Sequence, residues 1–204
     1  GVLLPASLTN ASIANVTAYN ASVATGNMVL ISSQTASNSA SISFPTGITS
    51  TYKEYQFWFI DVHARTDSTG FFFNMSTDSG SNYNVTKTTT AFIAFHNESD
   101  VTTGLLYSSN DDLAQSTALQ PLSQASNMSS GADHNLVGSL SLFNPASTTY
   151  VKHFISNNSY NHPADFQQNF FIAGYGNTTS AINAVQFKMG SGNFDGTILM
   201  YGIN

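Results

Sequence analysis

Tyr55-Gln56-Phe57-Trp58-Phe59-Ile60-Asp61-Val62 is the stretch on which the fold turns. Read as a β-strand, it sends Tyr55, Phe57 and Phe59 to one face and Trp58, Ile60 and Val62 to the other. A strand in a two-layer antiparallel sandwich ordinarily shows one polar face to water. Bulky apolar side chains on both faces therefore imply a cover on each side. Phe71-Phe72-Phe73 and Ile198-Leu199-Met200-Tyr201 repeat the pattern. The candidate covers for the outer face are a loop, an N-terminal arm or a neighbouring subunit. Large exposed apolar patches are rare on monomers, which favours a subunit.

Outward from this stretch the chain reads as short strands. Met28 to Ser33, Ser39 to Phe44, Gly70 to Ser76, Asn84 to His96 and Thr103 to Tyr107 come first. Asn135 to Phe143, Thr149 to Ser156, Phe166 to Tyr175, Ala184 to Met189 and Gly196 to Ile203 follow. Asp78-Ser79-Gly80-Ser81, Asn144-Pro145 and Gly190-Ser191-Gly192-Asn193 supply turn chemistry between them, the last reading as a hairpin. Strands at this spacing predict an all-β, antiparallel, jelly-roll-like β-sandwich over residues 28–204. Residues 1–27 read differently. Asn10-Ala11-Ser12, Asn15-Val16-Thr17 and Asn20-Ala21-Ser22 recur every five residues without a turn signal or helical stripe, and predict an extended N-terminal arm. Ser108 to His134 is long and polar for a loop in a compact domain, which marks it for an interface. Within it, Asn110-Asp111-Asp112 predicts the cap of a short helix running to Leu119 and ended by Pro121.

Only 8% of the 204 residues are charged, against about a quarter in ordinary soluble domains. Asn, Ser and Thr carry the polarity, alongside 15 Phe and 9 Tyr. Such a surface gains little from Coulomb attraction and loses little when salt screens it. It suits a saline medium, a packed assembly or a coat of sugars. The five cations, Lys53, Arg65, Lys87, Lys152 and Lys188, are scattered and the net charge is −6, which argues against nucleic-acid binding. No apolar run approaches the ~20 residues of a membrane-crossing helix, so no membrane insertion is expected. Without cysteine there is no disulfide, thiolate metal site or cysteine nucleophile.

No catalytic pattern stands out. The serines lack a Gly-x-Ser-x-Gly elbow, and His63, His96, His134, His153 and His162 never fall at zincin spacing. Glu54 and Asp61 share a strand, but an odd spacing of seven places them on opposite faces, poorly set for paired acid catalysis. Gly190-Ser191-Gly192 and Gly196 miss the dinucleotide fingerprint by one residue, and no helix follows. Asp78 reads as a turn residue and Asp111-Asp112 as a cap rather than as calcium ligands. The expectation is a protein that is not an enzyme and needs no cofactor or metal. Asn157-Asn158-Ser159-Tyr160-Asn161-His162-Pro163 predicts an exposed loop in which Tyr160 and His162 could bind a sugar among amides. Nine Asn-x-Ser/Thr sequons exceed only mildly the roughly five that composition alone would yield. Asn74 and Asn84 fall in predicted strands, awkward places for a glycan.

Three C-terminal stretches carry a resemblance. They are Leu142-Phe143-Asn144-Pro145-Ala146-Ser147-Thr148-Thr149-Tyr150-Val151-Lys152-His153-Phe154, Asn177 to Met189, and Asp195-Gly196-Thr197-Ile198-Leu199-Met200-Tyr201-Gly202-Ile203. Together with Asp78 to Thr90, Met28 to Ala36 and Ser50 to Phe59, they resemble virion structural proteins of marine tailed bacteriophages. The resemblance implies a head-decoration, fibre or tail-associated subunit on the virion surface, with no catalytic residues to carry over. Its expected partners are copies of itself, as a trimer for example, and other virion proteins. The alternatives are a module binding host receptors or surface glycans on the same particle, and a glycosylated extracellular eukaryotic β-sandwich. Synthesis in a bacterium would leave the sequons bare.

Overall fold

The computed structural model describes residues 27–204, so the expected arm lies, but for Asn27, outside the described residues. These residues form twelve strands and no helix. In chain order they are β1 (Met28–Ser39), β2 (Ile42–Phe44), β3 (Glu54–Ala64), β4 (Phe71–Ser76), β5 (Lys87–Asn97) and β6 (Thr103–Tyr107). The second half holds β7 (Gln120–Pro121), β8 (Leu136–Phe143), β9 (Lys152–His162), β10 (Phe166–Gly176), β11 (Ala184–Met189) and β12 (Phe194–Ile203). One sheet has eight strands in the order β1-β12-β3-β8-β9-β10-β5-β6, the other four in the order β2-β11-β4-β7. Neighbours pair antiparallel throughout. The two sheets make a sandwich-like, all-β domain.

Phenylalanine builds the core between the sheets. Phe187 on β11 sits at its centre, with ring centroids 5.2 Å from Phe57 and Phe59, 5.9 Å from Phe71 and 6.2 Å from Phe44. Two of these four pairs, those with Phe44 and Phe59, meet edge to face, an arrangement that ring quadrupoles favour. Tyr55, Leu140, Leu142 and Met200 continue the same layer, all fully buried.

Strict alternation breaks at Asp61. Its φ of 50° is left-handed, and the pairing of β3 with β8 slips between Phe59 and Val62. Across β3, β12 slips between Asp195 and Thr197, at Gly196. The bulge adds one residue, so Val62 joins Tyr55, Phe57 and Phe59 on the buried face instead of opposing them. Trp58 and Ile60 do point outward, and Glu54 and Asp61 are bonded apart, to Ser141 and Asn135.

Two further expectations are corrected. Gly190 to Asn193 is not a hairpin: β11 and β12 belong to different sheets, and the segment carries the chain between them with Gly192 at φ 70°. Asn110 to Leu119 forms no helix. Asp111 instead turns its buried carboxylate inward, accepting from Ser108 Oγ at 2.6 Å and from Ala125 N–H at 3.0 Å. A local turn of this kind competes with a helix for the same backbone groups.

The four-stranded sheet is too narrow to cover its partner, and residues 108–134 cover the remainder. Leu122 O accepts from Asn158 Nδ2, Gln124 N–H donates to the Tyr160 hydroxyl, and Gln120 Oε1 accepts from Thr89 Oγ1. The polar composition of this loop is thus spent on bonds to β5 and β9. Lys87 is buried beneath it, Nζ donating to Asn74 Oδ1 at 2.7 Å and Val85 O at 2.8 Å with no carboxylate bonded.

Candidate interaction surface

Register and alternation place the odd-numbered residues of β8, β9, β10 and β6 on the outer face of the eight-stranded sheet, with the even-numbered residues of β5. From β3, Gln56, Trp58 and Ile60 join them, and from β12, Leu199 and Tyr201. One cross-strand row reads Leu199, Trp58, Ser139, Asn157, Phe171, Phe92, Tyr107. Two aromatic clusters therefore flank a polar centre. Trp58 and Tyr201 lie 5.4 Å apart at one side, and Phe92 and Phe171 stack at 4.7 Å and 12° at the other. Ser139, Ser141, Asn157 and Ser159 hold the middle, with Val137 and Ile155 among them.

Asp112 and Gln115 reach its rim at Tyr107, Thr88 and Tyr175, and the described residues leave the rest of this face open. Leu105 is 70% exposed, Ile155 55%, Tyr107 54%, Val137 43% and Trp58 39%. Eight strands spaced about 4.8 Å apart and averaging roughly ten residues span on the order of 1,200 Å² on one face. Charge is confined to its rim, where Asp112 accepts from the Tyr107 hydroxyl at the β6 edge. Glu54 sits at one end of β3, where it accepts from Ser141 Oγ, and the Arg65–Asp195 pair, at 2.7 Å, stands at the other. Protein surfaces normally blunt association with charge, and the middle of this sheet has none to do so.

Tyr160 and His162 are placed differently from each other. Asn157 to His162 is the second half of β9 and not a loop. Alternation turns Tyr160 into the core, 1% exposed, where its hydroxyl accepts from Gln124 N–H at 3.1 Å and burial pushes its pKa above the usual range. No face of its ring is open to a sugar. His162 ends β9, half-buried, with Nδ1 accepting from Ala164 N–H at 3.0 Å. The other histidines also have local partners: His63 bonds Gly131 O, and His96 pairs with Asp100 at 2.9 Å. Ser129, Asp133 and His134 come together, but Ser129 is buried and its Oγ bonds both His134 Nδ1 and Gly131 N–H. Asp78 accepts from Ser76 Oγ and from Asn82 through both backbone and side chain, which lowers its pKa to about 2, and it serves its turn. No group of three His, Asp or Glu among the described residues could hold a metal ion. Asn74 is buried within β4, which denies that sequon a glycan, whereas Asn84 lies exposed ahead of β5.

The sequence set Trp58 and Ile60 on the face opposite Tyr55, Phe57 and Phe59 and marked Ile198 to Tyr201 as apolar on both faces, without deciding which face is outward. It did not mark Phe92, Phe171, Leu105 or Ile155. Their alternation was legible, but which parity faces outward depends on the cover that residues 108–134 lay over the opposite face. Against protein-family models, curated proteins and solved structures, the chain has no match.

Proposed function

We propose that this protein is a structural subunit of a virus particle that works through self-association of the outer face of its eight-stranded sheet. One observation carries the reading: a broad, aromatic-flanked sheet face with no charge at its centre, left largely uncovered by the described residues. Its extent, on the order of 1,200 Å² from strand spacing, exceeds the roughly 800 Å² per partner of a stable interface. The layout suits an isologous contact. About a two-fold axis running along the strands between β8 and β9, the Trp58 cluster of one copy meets the Phe92 cluster of the other, and the reverse contact forms by symmetry.

The pairing pattern supports a jelly-roll reading of the sandwich. β1 pairs with β12, β2 with β11, β3 with β8 and β4 with β7, a nested set. With the hairpins β5-β6 and β9-β10 set aside, the orders are β1-β12-β3-β8 and β2-β11-β4-β7. Eight strands wound into two sheets in this manner recur in capsid and lectin domains. The two hairpins then widen one sheet and create half of the outer face. The resemblance to virion structural proteins of tailed phages points the same way. Mass spectrometry of purified particles tests the assignment: the chain should be present at many copies, and synthesis during infection without incorporation would refute it.

A further inference from the structure

Between the rim of β5, β6 and β10 and the loop over them, the chain leaves a cleft of about 230 Å³ on the side opposite the self-association face. Phe95 and Phe166 meet edge to face at 5.8 Å in its wall, and His162 stands edge-on to Phe166, also at 5.8 Å. Leu106 and Gln124 close the sides. Gln168 forms part of the lining, only 6% exposed, and its Oε1 has no hydrogen-bond partner. Buried polar atoms are normally satisfied, so an orphaned acceptor beside a cleft marks a place for a donor. His162 offers the complement. Nδ1 accepts from Ala164 N–H, so the ring proton of the neutral form resides on Nε2. Burial lowers the His162 pKa and favours that neutral form. At the mouth, a smaller hollow sharing His162 and Phe166 carries the exposed carboxylates Glu98, Asp133 and Asp165.

We propose that this cleft binds a neutral sugar ring, the terminal hexopyranose of a glycan. Cavities for drug-sized ligands span about 300–1,000 Å³, so this smaller one fits a single ring. The C–H face of a pyranose packs on Phe95 and Phe166, while its hydroxyls accept from His162 and, once the Gln168 side chain turns its buried Oε1 into the cleft, donate to it. A purely apolar ligand would leave both groups unpaired. Three carboxylates at the mouth repel acidic sugars and accept further hydroxyls from neutral ones. The site does not depend on self-association, so failure of either proposal leaves the other standing.

The test is calorimetric titration of the full chain with methyl glucopyranoside, methyl galactopyranoside and N-acetylglucosamine, with glucuronate as the anionic control. At least one neutral sugar should bind in the millimolar range, and glucuronate at least about tenfold more weakly. Gln168→Leu removes an unpaired polar group from a buried position, so it should fold with an undiminished melting temperature while binding falls about tenfold or more. No binding of any neutral sugar, equal binding of glucuronate, or undiminished binding by Gln168→Leu would each overturn the proposal.

Discussion

Phe187 touches more aromatic rings than any neighbour in the core, joining β11 to rings from β2, β3 and β4. Truncation there removes contacts on every side at once, and Phe187→Ala should cost about 3–5 kcal/mol of unfolding free energy in urea. Lys87 makes a different demand. Burial pushes its pKa from 10.5 down to about 7, because no counter-charge offsets the lost hydration. Between those two values the unfolded chain holds a proton that the folded chain has released. Stability therefore rises with pH from about 7 to about 10, by up to about 1.4 kcal/mol per pH unit for this one group. Burial lowers Lys152 as well, with the same sign. Lys87→Met should reduce the slope by that single proton, read from unfolding midpoints at pH 7, 8.5 and 10. An unchanged slope would show that Lys87 keeps its proton in the folded state. At residue scale the sequence concealed this site, since a lysine at position 87 looks like any surface cation until Asn74 and Val85 close around it.

The strands themselves were legible, and the joins between them were not. Alternation through Tyr55, Phe57 and Phe59 located β3 and grouped those three on one face, yet the parity of Val62 turned on one left-handed residue. Aspartate tolerates that conformation better than most residues, and nothing in the local pattern distinguishes a bulge from a continuous strand. Gly196 on β12 stands against the same irregularity at φ 130°, where a Cβ would lie 2.8 Å from Asp61 O and Val62 Cα. Both are backbone atoms and cannot step aside. Gly196→Ala should therefore lose about 1–3 kcal/mol, measured by thermal unfolding, and a neutral result would mean that the bulge relaxes freely. Residues 108–134 were marked for an interface by their length and polarity, and the sequence did not show that part of that polarity serves the fold: Asp111, Gln120 and Ser123 are buried and spend their hydrogen bonds inside it. Tyr160 and His162 were separated for a related reason: a predicted loop became a strand, and alternation buried one and left the other at the rim.

At the scale of the molecule, a narrow four-stranded sheet and a polar loop together cover one face of a wide sheet, and the described residues leave the middle of the other face open. The low charge of the chain takes its meaning from this geometry, since association through that face sets few charges against one another. Ile155 is the best place to intervene. It lies on β9 near the middle of the face, 55% exposed, so Ile155→Lys should change monomer stability by no more than about 0.5 kcal/mol. Burying that ammonium against a second copy would be far more costly. Sedimentation velocity of the purified chain and of Ile155→Lys across a wide concentration range is the most direct measurement. The expected result is a native species at a multiple of 21.8 kDa and a variant that sediments as a monomer with an unchanged melting temperature. A native chain that remains at 21.8 kDa up to its highest soluble concentration would contradict the account.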